Sequence, residues 1–444
     1  MPPHPITVRL VATLAALLIL APATVLAGSS PPSFGTPLKI IDSEPNVPSA
    51  INSSGQVITL RPGSGRGPAL QLATALGSVR TEQLRTAVAG YDNPSVAIAD
   101  SGAFAATWDT SSSTGASIER LEIAVGSLSA LPRQATVVAT GDDMTQDEQA
   151  FETSLGTAVV LWDNANASGV NSVQAEIVPG GGGVPSPVTL DADAYLVGAG
   201  IDSTGALVVI DAGKSSLIER TIAPDGVVGS PDAFRSGSLA KAVQANLSVL
   251  IDGAGDQLFY WATTGDHQML RAQWRSASGV LGPVQSLGAS GSGTDEGAPA
   301  FALNRSGSAV VVLTPYGPGP VGVRFATRLG AFGAMHRLGA AADNVDEPSV
   351  SIDGGGRTVV TWVGFPSGRG GGNHGRELAA EARGTTFDPP APLAVQPGLG
   401  DAYLGDFPLA AASPDAAQTA VTYAGSQTSA GVRRSVGQIA FLQG

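Results

Sequence analysis

A glycine recurs through this chain at intervals close to fifty residues, each time inside the same phrase. It is Gly55 in INSSGQVITL, Gly102 in IADSGAFAATW, Gly156 in ETSLGTAVVLW, Gly205 in IDSTGALVVI, Gly255 in IDGAGDQLFYW, Gly307 in LNRSGSAVVVL and Gly356 in IDGGGRTVVTW, and Ala417 of SPDAAQTAVTY stands in the last copy. The intervals are 47, 54, 49, 50, 52, 49 and 61 residues. Four of the five tryptophans, Trp108, Trp162, Trp261 and Trp362, follow that glycine by six residues, and Tyr423 takes the place in the final copy. A fixed period with a fixed internal offset means many copies of one supersecondary unit, each burying its core against its neighbours.

Each copy reads as four short strands. An apolar run, opened by Pro-Ser in PSVAIAD and PSVSID, meets a turn in which Asp or Asn caps the bend and Gly supplies the positive φ. A strand of small, β-branched and aromatic residues follows, then a loop, a third strand such as MLRAQWRSA, and a fourth after a glycine turn, as in GVLGPVQSLG. With no amphipathic helix in sight, this is the pattern of an all-β propeller of four-stranded blades. A β-solenoid has shorter coils, and a string of sandwiches needs a period near 100 residues. Eight copies predict eight blades, with seven as the alternative because the copy around Gly55 is degenerate. The segment SFGTPLKI (33–40) matches the fourth-strand phrase without strands before it, and the last copy stops after its third strand, SVGQIAFLQG. Residues 34–40 are therefore expected beside 435–442, closing the ring and removing an open edge.

Residues 1–27 read as a secretory signal peptide: Arg9, an apolar run from Leu10 to Ala21, and small or apolar residues before Gly28. Residues 28–444 then form a single propeller domain, secreted to the extracellular space or cell envelope. No later stretch is long enough to cross a membrane. The chain has no cysteine, so disulfides, thiolate metal sites and thiol nucleophiles are excluded. A net charge of −13 argues against nucleic acid or anionic membrane as partner, while 43% hydrophobic residues suffice for a core. A monomer is expected.

The repeated D-x-x-G turn with tryptophan six residues on resembles exported bacterial β-propeller repeat proteins of TolB-like and WD-repeat-like architecture. It is also similar to the aspartate box of sialidase-type propellers, where the offset is three. Trp108-Asp109 and Trp162-Asp163 spell the WD dipeptide, without that family's Gly-His partner. The resemblance implies a blade and carries no catalytic residue over.

Two sets of residues are expected on the face opposite the Asp/Gly turns, where loops on a rigid scaffold bind ligands. Glu44, Asp92, Glu148, Asp193, Glu296, Glu347 and Asp406 fall in the crossings between copies and would ring the channel mouth. Such a ring would concentrate cations, either Ca²⁺ or a basic ligand, and the other reading is ordinary solvated loop acids. DDMTQDE, with Asp142, Asp143 and Asp147, is the densest metal candidate; no other cofactor is expected. Asp109, Asp163, His267, Arg369 and His374 follow the second strands and are candidate ligand contacts. No G-x-S-x-G elbow occurs, and inner strands such as PSVAIA and PAFALN offer few reactive groups. The expected function is a non-catalytic binding or scaffold module for a protein or glycan. The alternative is an extracellular polysaccharide hydrolase or lyase using channel-mouth carboxylates such as Asp92, Glu296 and Glu347.

Overall fold

The Asp/Gly phrase folds as one turn in copy after copy, and its hydrogen bonds explain its residues. The carboxylate of Asp202 accepts the N–H groups of Thr204 at 2.8 Å and Ala206 at 3.1 Å, and Asp252 does the same for Ala254 and Asp256 at 2.8 and 2.9 Å. Asn52 accepts equivalent bonds from Ser54 and Gln56. The glycine three residues on donates back to the carbonyl of the capping residue, and across the seven copies its φ lies between 71° and 84°. That is the left-handed region, where a Cβ is strained. Blade 8 lacks the glycine and makes a turn one residue longer, from Ala412 to its register partner Thr419.

The structure, a computed structural model, describes residues 32–40, 47–61, 67–86, 91–110, 119–141, 148–165, 171–180, 187–213, 216–234, 239–242, 247–263, 269–289, 299–314, 319–339, 343–366, 376–394, 408–429 and 432–443. It is an eight-bladed β-propeller. Each blade is a separate antiparallel sheet, with strands in sequence order in blades 1 to 7. The innermost strands of blades 1 to 8 are Ser49–Ile51, Asp92–Ile98, Gln149–Glu152, Ala194–Ile201, Ser248–Ile251, Ala300–Leu303, Asp343–Ile352 and Leu409–Ala412. In blade 7 the outer strand is split into Thr386–Phe387 and Ala391–Pro392, because Pro389 and Pro390 cannot donate to a ladder.

Blade 8 is built from both ends of the chain. Leu38–Ile40 pairs antiparallel with Val432–Phe441, placing Leu38 opposite Ile439 and Ile40 opposite Gly437. Phe34 bridges Leu442, and backbone bonds from Gly35 to Phe441 and from Gln443 to Ser33 continue the seam. The closure expected from the fourth-strand phrase at residues 33–40 is present.

Adjacent blades pack face to face, and the aromatic six residues after the glycine packs on the preceding blade. Trp108 shares a core cluster with Leu60 and Leu70 of blade 1, Trp162 with Leu121 and Ile123 of blade 2, and Trp362 with Val310 and Val323 of blade 6. Side chains alternate along a strand, so an even offset from the turn returns to that same face in every copy. The Pro-Ser phrase also acts between blades: the Ser95 hydroxyl accepts Ala150 N–H, and the Ser349 hydroxyl accepts Ala410 N–H, each 3.1 Å away on the next inner strand. One helical turn, Leu239–Ala242, departs from the all-strand expectation; Leu239 and Ala242 fill the seam beside Trp261.

Two glycines separate strain from crowding. Gly356 has a φ of 78°, and a methyl group there would meet nothing within 4 Å, whereas a methyl at Gly205, φ 80°, would overlap the Ser154 hydroxyl of the preceding blade. Gly356→Ala should cost about 1 kcal/mol from left-handed strain alone. Gly205→Ala should cost at least about 1 kcal/mol more, read as a lower urea midpoint at an unchanged m value.

Candidate functional site

The turns at one end of the propeller are stitched into a belt. Ser203 donates its N–H to Gly253 O, Gly253 to Arg305 O at 3.0 Å, Ser154 to Gly205 O, and Gly354 to Ser413 O, each time across a blade seam. Ser53 N–H donates to the Asp100 carboxylate at 2.8 Å, and Asn304 Nδ2 donates to Asp353 O at 2.9 Å. Arg305 of blade 6 reaches Asp415 of blade 8 at 2.7 Å, its stem lying on Gly253, where a side chain would collide. The turns thus hold the blades at fixed spacing, which is the structural role the repeat implies.

Within this belt lies an axial cavity of about 490 Å³, lined by inner-strand residues of seven blades. One layer of the repeat, the last residue of each inner strand, contributes to its wall, together with turn residues such as Asn52, Ser101, Thr153, Ser154 and Ser413. That layer is Ile51, Ile98, Glu152, Ile201, Ile251, Leu303, Ile352 and Ala412, paired in register with Val57, Phe104, Ala158, Leu207, Gln257, Ala309, Thr358 and Thr419. Ile352 is buried in the seam of blades 6 and 7 and does not line the cavity. Seven positions of the layer are aliphatic and one is an acid.

Glu152 is 7% exposed, and neither carboxylate oxygen has a hydrogen-bond partner. Burial alone pushes its pKa up to about 8, so the carboxyl is largely protonated at neutral pH. Asp100, Asp415 and Arg305 line the same cavity. Burial also raises Asp415, with Arg305 opposing that shift and Asp100 adding to it. A neutral carboxyl can both donate and accept a hydrogen bond, and here both oxygens are sealed from solvent. The bland look of the inner strands hides Glu152 from a reading of the sequence. The signal is present nonetheless, because aligning the seven glycine-bearing copies puts Glu152 in a column otherwise filled by Ile or Leu.

The residues expected on the loop face are placed differently. Asp109 and Asp163 are not loop residues: both lie in second strands, 5% and 4% exposed. Asp163 accepts Leu196 N–H at 2.8 Å across the seam of blades 3 and 4, and Asp109 faces Asn93 Nδ2 at 3.5 Å. An aspartate after tryptophan points away from the preceding blade, hence into the next one. Glu148 is likewise buried, at 6% exposure, and does not present itself to solvent at a channel mouth. Asp193 is exposed, with a φ of 62°, as the single residue between Val188–Ala192 and Ala194–Ile201. The backbones of Asp92 and Glu347 lie in inner strands. Glu44, Asp142, Asp143, Asp147, His267, Glu296, Arg369, His374 and Asp406 lie outside the described residues, as does the segment 1–27. Among the described residues no three His, Asp or Glu side chains are grouped to hold a metal ion, and no helix is long and apolar enough to cross a membrane.

Blade 4 carries Asp211 at the position where four other blades carry tryptophan. It is fully buried and faces Asp163, with Arg220 3.7 Å away and Arg220 also 3.6 Å from Asp191. Burial pushes Asp211 up to about 7; Arg220 opposes that shift, and Asp191 and Asp163 add to it.

No protein-family model matches the chain, and no curated protein matches it. Among solved structures it is similar to BP39L lectin from Burkholderia pseudomallei, at 13% identity and a TM-score of 0.45 over 78% of this chain and 98% of that one. It is similar to the β-propeller domain of the Trilobed protease from Pyrococcus furiosus, at 8% identity and a TM-score of 0.43 over 81% and 97%. It is also similar to prolyl oligopeptidase B from Galerina marginata, at 10% identity and a TM-score of 0.42 over 71% of this chain and 46% of that one. The chain thus spans about half the length of the oligopeptidase.

Glu152 and Asp211 both have raised folded-state pKa values, so their protonated forms favour the native state. Their contribution is complete below about pH 4 and is lost as pH rises through about 7 for Asp211 and about 8 for Glu152. Stability measured by urea unfolding should therefore fall between pH 5.5 and pH 9. Glu152→Ile, the residue common in this layer, should remove roughly 3 kcal/mol of that fall. A midpoint that stays flat in the wild-type chain, or an unchanged slope in the variant, would contradict the assignment.

Proposed function

We propose that this protein is an exported, non-catalytic binding module that holds a protein or glycan on the face opposite the turn belt. The observation that supports this reading is where connection length varies. The first-to-second turns stay short and are bonded to one another. The second-to-third connections run from two residues, between Thr419–Ser429 and Val432–Phe441, to nine, between Arg357–Pro366 and Arg376–Arg383. The crossings run from the single Asp193 to the sixteen residues between Ala391–Pro392 and Leu409–Ala412. A rigid ring with variable segments gathered at one end is the arrangement by which loops diversify recognition without disturbing the core. Arg369 and His374, in the longest second-to-third connection, are the proposed contacts for an anionic group.

A second reading, a polysaccharide hydrolase or lyase, is favoured by one observation. A carboxyl that stays protonated at neutral pH shares a cavity with two further acids, the division of labour that general acid catalysis requires. A glycan array paired with a hydrolysis panel separates the two. The binding reading expects retention of a ligand without product, weakened at least tenfold in an Arg369→Ala, His374→Ala double variant. Turnover that disappears in Glu347→Gln or Glu152→Gln would replace it with the enzyme reading.

A further inference from the structure

The axial cavity meets solvent at the turn end of the ring, away from the loop face, and its wall changes character with depth. The turn residues Asp100, Ser101 and Asp415 line it and are exposed, whereas Ile98, Ile201 and Ile251, at the ends of inner strands, line it half-buried. Glu152 takes no part, because both its oxygens are sealed from solvent. We propose that this cavity binds one hexose unit of a neutral glycan. Neighbouring hydroxyls of the sugar bond to Asp100, Arg305 and Asp415 at the rim, and the C–H face of its ring lies on the isoleucines.

The rim has hydrogen-bonding capacity to spare. One oxygen of Asp100 accepts Ser53 N–H at 2.8 Å, and the Ser101 hydroxyl accepts Ala103 N–H at 3.3 Å, which leaves its own proton to donate. Arg305 Nε meets Asp415 Oδ1 at 2.7 Å, with the two side chains 34% and 30% exposed. A carboxylate accepts, and a guanidinium donates, more bonds than these. Other polar wall residues are already engaged or inaccessible. Thr153 Oγ1 donates to Pro224 O and accepts Thr157 N–H, and Ser413 Oγ is buried. Recognition therefore falls to acceptors and a donor side by side at the rim, which is what a pair of neighbouring hydroxyls needs. The donor is also held in place: the stem of Arg305 lies on Gly253 and its head on Asp415, so little order remains to be imposed on binding.

Charge and shape narrow the class to a neutral polyol. Arg305 already neutralises Asp415, so a cationic ligand would have to displace it, and an anion would face Asp100. A wholly apolar ligand would strip water from the rim acids and return no hydrogen bond. A hexose carries hydroxyls along its edge and C–H groups on a face, matching a polar rim above aliphatic side chains. The volume, about 490 Å³, lies within the range of small-ligand sites. This site goes beyond the loop-face reading and does not rest on it.

The test is methyl NMR of the chain labelled at isoleucine δ1 positions, titrated with the methyl glycosides of glucose, galactose and mannose and with cellobiose. At least one saccharide should saturate below about 10 mM, on the order of weak specific binding. It should shift Ile98, Ile201 and Ile251 together and leave Ile123 and Ile218, in third strands, unmoved. Asp100→Ala should weaken that affinity at least tenfold, as should Arg305→Met, which keeps an unbranched stem for Gly253 and removes the donors. Thermal unfolding identifies a variant that fails to fold, and the isoleucine shifts of the wild-type chain are decisive without any variant. Cyclohexanol, a ring without neighbouring hydroxyls, and lysine methyl ester, a cation, are the controls. The proposal is overturned if no saccharide saturates, if either control binds as tightly as the best saccharide, or if a folded Asp100→Ala binds as well as wild type. Saturation that leaves the three isoleucines unmoved would overturn it too and assign the sugar to the loop face, where Arg369 and His374 provide the separate test.

Discussion

Ring closure between the two ends of the chain is the contact on which the other contacts depend. A single blade has two apolar faces, and each is covered only by a neighbour. Without the pairing of Leu38–Ile40 on Val432–Phe441, the last blade would present an unpaired strand edge, and its outer face would lose Leu38 from the cluster formed with Ile51, Val57 and Ile439. With it, each seam between described blades holds an apolar cluster. The backward packing of Trp108, Trp162, Trp261 and Trp362 is then a set of equivalent contacts around a circle.

The turn belt follows from closure. Inner strands of adjacent blades sit edge to edge with no ladder between them, so the backbone and side chains of the turns make the connections. The N–H of the residue two before the repeat glycine reaches the next blade, which explains small residues at Ser53, Ser154, Ser203, Gly253 and Gly354. Asp100, Arg305 and Asp415 are the larger residues at that position, and the stem of Arg305 occupies the space that Gly253 leaves. The belt fixes the radius at that end, so a cavity forms where the inner strands cannot close on the axis. An acid placed in its wall is desolvated by the architecture, with no need of a charged neighbour.

Much of the fold was legible in the sequence because periodicity is a property along the chain. The 47-to-61-residue intervals carried the blade number, and the orphan phrase SFGTPLKI carried the closure. Positions were less legible than elements. Trp108-Asp109 and Trp162-Asp163 read as strand ends leading into loops, yet the strands run on through Thr110 and Ala165 and carry both aspartates into the seams. Glu148 read as a mouth residue, yet it is buried just ahead of the strand Gln149–Glu152. Local composition does not show where a strand stops when the neighbouring blade can supply a hydrogen-bond donor such as Leu196 N–H.

Residue spacing alone dictates the number of copies, the turn that defines them and the partner strand at the terminus, since each is written in intervals along the chain and in the φ that glycine accepts without strain. The state of individual acids is set only once the ring is assembled. Glu152 is one residue in an Ile column until eight strands surround an axis and withdraw water from it; Asp211 is a missing tryptophan until Asp163 faces it from the preceding blade. Burial depends on residues hundreds of positions away, and protonation depends on burial.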